Sequence, residues 1–582
     1  MSRSGLVTVI GVLLVMGGLA VAVVFSQDSV PSLPETISGI VIDSGGPAAG
    51  AIVQLQGTPN RIETGPDGRF TLSGIEGTAP VVVTAWSAGH YIGWTTLDPE
   101  LPVWENGDIQ ITLNPLPQVD NHEYDWFSAE GVSGSAGCGL CHREYEEWRE
   151  DQHAQSAVNH RFLTMYTGRN VHGEIGQPIQ YGSNGLPLPP DPDLPYTGPG
   201  FVPDNPGGRA GNCTTCHVPM VSKLPNDQNC SWSGCHTSLT IERAGTFLSL
   251  PGTPLSARGP ALEGISCEFC HKIGDVIIDP QTNLPMPDMP GILSVRLHRP
   301  MTEDEQVFFG NLVDVKGQDS YLPLISESRF CAACHFGVFG GVMGVGTMTG
   351  GIAVYNSYGE WLDSPYSDPD TGQTCQDCHM PVSEHNWFVY EERGGITRDY
   401  AVLHNHTMTG PSSGDLLQNS VTMESSARRD GDQLQVEVSI TNDKTGHHVP
   451  TDQVMRSMIL VVEAFDADNQ PLELRAGPVN PEFSGDYGGL PGKTFALVLR
   501  DKWTGEAPTT AFWREIELVE DTRLAALATD TTHYTFAAPA DTAITVDVRL
   551  LYRRAFYDLR QQKGWDDPDI VMEHETLHVP AS

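Results

Sequence analysis

Basic residues are scarce in this chain. Its 582 residues carry 33 Lys and Arg against 73 Asp and Glu, a formal net charge of −40. Such a surface repels nucleic acid and anionic headgroups and favours a basic partner. No run of like charge is long enough to make a disordered acidic tail, so the acidity is spread over folded surface. Long apolar runs are also missing, with one exception at the start. Leu6 to Phe25 is uncharged and apolar, with Arg3 before it and a small-residue cleavage point at Val24-Phe25-Ser26. The run lies between the length of a secretory signal and that of a membrane span. A cleaved signal is the favoured reading of residues 1–30, with a retained anchor as the alternative, and either exports the rest. No nucleophile elbow accompanies His574, His578 and the acids near them, which excludes a Ser-His-Asp hydrolase reading. Unpaired cysteine is absent too, since all twelve fall into six pairs.

Five pairs have one form: CGLCH (Cys138, Cys141, His142), CTTCH (Cys213, Cys216, His217), CEFCH (Cys267, Cys270, His271), CAACH (Cys331, Cys334, His335) and CQDCH (Cys375, Cys378, His379). At this composition chance would give C-x-x-C-H roughly 0.009 times in the chain. The spacing suits covalent haem c: two thiols add to the haem vinyl groups and the next residue puts its imidazole under the iron. Zinc half-sites do not need a His after each second Cys, and neither does a disulfide framework. The sixth pair, CSWSGCH (Cys230, Cys235, His236), has four residues between its cysteines and keeps the His. It reads as the third of six haems, against an isolated disulfide or an empty loop. The C-x4-C-H form resembles a variant known from multihaem cytochromes.

The chain divides into a small β-sandwich at 36–115, a hexahaem region at 121–412 and a second sandwich at 420–582. The fold class is therefore multidomain: a largely irregular and α-helical, haem-packed cytochrome domain flanked by two all-β sandwiches. In the first sandwich, TGPDGRFTLSGI (Thr64 to Ile75) carries a Pro-Asp-Gly turn into an alternating strand. With Gly89-His90-Tyr91 it resembles the carboxypeptidase regulatory-like domain, which implies a packing or attachment module without chemistry; His90 reads as a turn residue. In the last region Leu434, Val436, Val438 and Ile440 alternate with polar residues, as does Ile544 to Leu550. The proline-rich stretch from Pro178 to Pro206 excludes helix and central strand, and is expected to wrap over porphyrin faces. The glycine-rich stretch after His335 lacks the setting of a dinucleotide fingerprint and reads as close backbone approach to a haem.

The first motif continues as CHREYEEWREDQHA. Tyr145, Trp148 and His153 after C-x-x-C-H resemble the cytochrome c-554-like class of multihaem cytochromes. Good helix formers from Arg143 onward predict a helix that carries His142 and His153 on one face, leaving His153 free to reach a neighbouring haem. AVLHNHTMTG after the last motif is also typical of the class. TGHHVPT (Thr445 to Thr451), DTRL (Asp521 to Leu524) and Gln561 to Trp565 resemble segments that follow the haem cluster in related cytochromes.

Beyond the six motif histidines, the haem region holds His122, His153, His160, His172, His298, His385, His404 and His406. His153, His404, His160 and His298 rank first as second iron ligands, with only one of His404 and His406 expected to bind. His447 and His448 would add a ligand from the C-terminal sandwich and dock it, and Met343 or Met348 would raise the potential of any haem it ligated. Pentahaem nitrite reductases mark their open haem with C-x-x-C-K, and no such motif exists here. The favoured function is an exported electron relay serving redox partner proteins or an extracellular acceptor, with homo-oligomer or filament assembly and membrane association through the N-terminus as further expectations. The alternatives are an oxidoreductase acting on nitrite, hydroxylamine or tetrathionate, and a structural subunit whose sandwiches drive assembly.

Overall fold

Period-two patterning near the N-terminus gives strands with one buried face. In Thr36–Asp43, Ile37 and Val41 are fully buried. This strand pairs antiparallel with Arg69–Ser73 and parallel with Asp108–Thr112. A second sheet runs in the order Arg61–Glu63, Ile52–Leu55, Val81–Trp86, Gly93–Leu97. The two sheets close over Val53, Phe70, Leu72, Val83, Ile109 and Ile111. The Pro66-Asp67-Gly68 turn needs its glycine: φ is +72°, and a Cβ there would meet the Val41 carbonyl at 2.6 Å.

The computed structural model describes residues 33–76, 79–99, 108–121, 124, 127–204, 213–219, 263–343 and 348–581. The N-terminal apolar segment, His122 and the CSWSGCH pair (Cys230, Cys235, His236) lie outside the described residues, as do the side chains of Met343 and Met348. Among the described residues no helix is long and apolar enough to cross a membrane.

The middle of the chain is built from short pieces. Among the described residues its helices run from four residues (Ser135–Cys138) to eight (His160–Thr167), and its strands form two-stranded ribbons such as Ile273–Val276 with Val295–Leu297. The helix expected to carry both His142 and His153 covers only Glu144–Trp148. Glu150 and Asp151 would stand at its C-terminal end, where the helix dipole disfavours negative charge. Asp151 Oδ1 instead accepts the His153 backbone N–H at 2.8 Å, a local alternative to helical bonding. Gly340 approaches the C-terminal sandwich, where a Cβ would meet the Ile516 side chain at 2.1 Å.

The C-terminal region is two antiparallel sheets. One has the order Thr422–Asp430, Gln433–Thr441, Thr529–Ala537, Leu474–Ala476; the other has Ile516–Asp521, Gly492–Asp501, Ser457–Phe465, Ile544–Arg553, Ile570–Val579. Leu434, Val436, Val438 and Ile440 from the first face Leu460, Val462, Val546 and Val548 from the second in one core.

Buried polar contacts fix the three regions to one another. Asp314 accepts Gly57 N–H at 2.7 Å and pairs with Arg398 at 2.7 Å, tying the N-terminal sandwich to the middle. On the other side Arg514 grips both oxygens of Asp204, at 2.8 and 2.9 Å, and also Asp501 at 2.7 Å. The QQKGW segment has a docking role. Lys563 Nζ donates to the carbonyls of Thr164, Arg169 and Pro199, and Trp565 Nε1 donates to Thr164 Oγ1 at 3.2 Å.

Candidate functional site

Each described Cys–x–x–Cys–His motif folds as one helical turn. Cys213–His217, Cys267–His271 and Cys375–His379 are helices of five residues, and Ala332–His335 completes a fourth. In the first motif His142 N–H donates to the Cys138 carbonyl at 2.9 Å. Residues i, i+3 and i+4 of a helix share a face, so both thiols and the imidazole of each motif point the same way. No two of the ten described cysteines form a disulfide. Caps start two of the turns: Ser266 Oγ accepts Phe269 N–H, and Thr374 with Asp377 forms a capping box.

The motifs meet in pairs. Ser135, three residues before Cys138, accepts the backbone N–H of Cys267 at 3.1 Å; Ser328, three before Cys331, accepts that of Cys375 at 3.0 Å. The first cysteines of each pair are neighbours, Cys138 of Cys267 and Cys331 of Cys375. Cys216 and Cys334 are neighbours as well. Phe269 and Cys270 pack with Ala332 and Ala333 in one apolar cluster, which joins the two pairs into a continuous array.

The imidazoles are oriented from behind. The Nδ1 of His217 bonds Ser156 O (3.0 Å), that of His271 Phe309 O (2.6 Å), and that of His379 Thr409 O (2.7 Å); the Nδ1 of His335 bonds Asp452 Oδ2 (2.9 Å). Carbonyl and carboxylate oxygens only accept, so Nδ1 carries the proton and Nε2 presents its lone pair. Burial lowers His142 and His217 to about 4, with the nearby His271 adding to the effect on His142, so both are neutral, as metal ligation needs. His335 is the exception. Burial presses it down, but the Asp452 hydrogen bond and charge outweigh this and its pKa is raised.

A second imidazole stands across from three of the five. His271 and His406 have ring centroids 6.5 Å apart, His379 and His447 6.3 Å, and His335 and His153 6.2 Å. An imidazole nitrogen sits ~2 Å from a metal it binds and its ring centroid ~1 Å farther, so two rings on opposite sides of one ion lie about 6 Å apart. The second rings also have Nδ1 engaged: His406 with His404 O (3.0 Å), His447 with His448 O (2.8 Å), His153 with Asp151 Oδ1 (2.7 Å). The residues present therefore fit a six-coordinate haem iron at these three places.

Placement of the other candidates differs from the sequence ranking. His406, not His404, faces His271. His404 bonds Met380 O through Nδ1 at 2.8 Å, while Glu147 accepts the backbone N–H of His406 at 2.8 Å and fixes that residue. His160, His172 and His385 are exposed; His160 opens its helix beside Asp566 and Asp567 and is not brought to a motif among the described residues. His298 lies edge-on to Phe309 at 5.1 Å and against Gly274, where a Cβ would meet its Nε2 at 2.4 Å. Phe162 stacks on the face of His217 at 3.7 Å. Among the described residues no imidazole stands at the 6 Å spacing from His142 or His217. Asp151 and Asp452 carried no sequence signal beyond proximity to His153 and to TGHHVPT.

No protein-family model and no curated protein matches the chain. Among solved structures it is similar to a penta-heme cytochrome c552 from Thermochromatium tepidum, with 18% identity, 77% of this chain and 98% of that chain covered, and a TM-score of 0.49. Two β domains also match. The Danio rerio Fcho1 Mu homology domain with bound Eps15 peptide has 9% identity over 23% of this chain and 39% of that chain, at a TM-score of 0.11. A PapD-like domain of human CEP192 has 8% identity over 30% of this chain and 89% of that chain, at 0.12.

Proposed function

We propose that this chain is an exported multihaem c-type cytochrome that relays electrons, with a haem c at each of the five C-x-x-C-H turns and a sixth at Cys230, Cys235 and His236. The observation that carries the reading is the set of three opposed imidazole pairs, each built on a motif histidine at the spacing an iron requires. Bound there, haem supplies reversible one-electron chemistry. The chain's own residues do the rest. The helical turn aims two thiols and an imidazole together, the Nδ1 bonds fix ring orientation and tautomer, and paired motifs bring neighbouring sites into contact. TGHHVPTD delivers His447 and Asp452 from the C-terminal sandwich, so that domain completes two sites as well as docking on them. With two imidazoles per iron these positions are closed to substrate, which favours electron transfer over catalysis. The net charge of −40 favours a basic redox partner.

Intact-mass analysis of the exported protein tests the reading. Six covalent haems are expected, one fewer for each motif whose cysteines become serine. His447→Gly is expected to turn one low-spin haem high-spin, and free imidazole to reverse it. A wild-type chain without covalent haem would end this proposal. Rapid turnover of nitrite, hydroxylamine or tetrathionate would replace the relay with an oxidoreductase.

A further inference from the structure

The three imidazole pairs differ in what stands behind them. Around His271/His406 and His379/His447 all four Nδ1 groups bond backbone carbonyls: Phe309, His404, Thr409 and His448. Around His335/His153 both bond carboxylates. Asp452 Oδ2 lies 2.9 Å from His335 Nδ1, and Asp151 Oδ1 lies 2.7 Å from His153 Nδ1. The two acids come from different regions, Asp452 from the C-terminal sandwich and Asp151 from the turn after Trp148.

Both carboxylates are held in place. Asp151 is buried, and the same oxygen accepts the His153 backbone N–H at 2.8 Å. Asp452 Oδ1 accepts Ser357 N–H at 3.1 Å, while Arg456 donates to the Thr451 carbonyl at 3.0 Å. A carboxylate draws the Nδ1 proton toward itself more strongly than a carbonyl and makes the imidazole a stronger donor to a metal. Two full negative charges near one iron also favour its ferric form, the more positive of the two states. Both effects act in the same direction, and only the His335/His153 pair has both of its imidazoles bonded to carboxylates.

That site is the hub of the array. Its cysteines lie beside two other motifs, Cys331 near Cys375 and Cys334 near Cys216; Ser328 accepts the Cys375 backbone N–H at 3.0 Å, and its helix packs on Cys270 of a third motif. We infer that the haem at Cys331, Cys334 and His335 has the lowest reduction potential among the three opposed-imidazole sites, set by Asp452 and Asp151, and so is the last of them to accept an electron. The two acids act as positioning residues. A low-potential hub keeps the branches that meet there thermodynamically separate until they are reduced. This inference rests on the haem reading above.

Potentiometric titration of the full-length holoprotein, followed by visible and electron paramagnetic resonance spectra, tests it. Asp452→Asn and Asp151→Asn retain an oxygen acceptor, and Asn tolerates the left-handed backbone at 452, where φ is +62°. Each is expected to make the lowest-potential bis-histidine haem about tenfold easier to reduce, ~59 mV for a one-electron couple. The other potentials should move less, since Asp452 also acts on His379 at the neighbouring site, the haem count should be unchanged, and the exposed control Glu384→Gln should shift none. An unmoved lowest bis-histidine potential in both variants at full haem content, or a shift spread evenly over all haems, would overturn the assignment. Loss of covalent haem from the wild type would instead sink the reading beneath it.

Discussion

The C-terminal sandwich and the cysteine–histidine region are organised by different means. The sandwich has strands of nine and ten residues, such as Ser457–Phe465 and Ile544–Arg553, with Met458, Leu460, Val462, Val546, Val548 and Leu550 fully buried between its sheets. Hydrophobic burial alone gives such a unit a fold. Among the described residues the middle region has helices of four to eight residues, far below the ~12–15 that an isolated helix needs in water. Its apolar residues fall into several small clusters around the motifs. What fixes its pieces is a set of cross-contacts: serine acceptors between motifs, Nδ1 bonds, ion pairs to the sandwich and, in our proposal, thioethers. Short elements carry chemistry where something other than their own core holds them.

The largest test of this contrast is to produce the chain without haem attachment. The sandwich is then expected to fold and the middle region not to. Limited proteolysis read by mass spectrometry should leave a fragment of about 160 residues ending near the C-terminus, the size of a typical single domain. A middle region equally resistant without haem would break the comparison.

Next in size is the docking pair. Asp204→Ala leaves buried Arg514 with Asp501 alone and takes the partner from Trp513 Nε1, 2.6 Å away. Removing one member of a buried ion pair typically costs about 3–5 kcal/mol. Urea titration should show the haem absorbance transition moving to lower denaturant while the far-ultraviolet transition of the sandwich stays in place. Lys563→Met should do the same more mildly, by about 1–3 kcal/mol, since three carbonyls lose their donor.

The same division decides what could be read from sequence. Leu434, Val436, Val438 and Ile440 announce a half-buried strand because period two is a local property, and each is at most 2% exposed. The C-x-x-C-H turns were equally legible, since one helical turn contains all their chemistry. The opposed imidazoles were not. The neighbourhood of His153 singles it out and its ring lies across from His335, but the helix expected to carry it stops at Trp148, and Asp151 bonds the His153 backbone N–H instead. The choice of His406 over His404 depends on Glu147, about 260 residues away, holding one backbone N–H. Asp452 reaches His335 across 117 residues. Pairings of that range are set by tertiary packing, and no spacing rule encodes them.

The smallest test probes the joints between motifs. Ser135 and Ser328 are buried, and each accepts the N–H of the first cysteine of another motif. Alanine at either position leaves that N–H without its acceptor at the start of a helical turn, a loss of about 1 kcal/mol. Because the two joints are equivalent, Ser135→Ala and Ser328→Ala should shift the haem absorbance midpoint by similar amounts. Together they should approach the sum, since they lie in different motif pairs and share no partner. The sandwich midpoint should stay where it is in all three variants. A shift of the sandwich equal to that of the haem signal would mean that the two regions unfold as one unit, and that the cross-contacts hold the whole molecule rather than its middle.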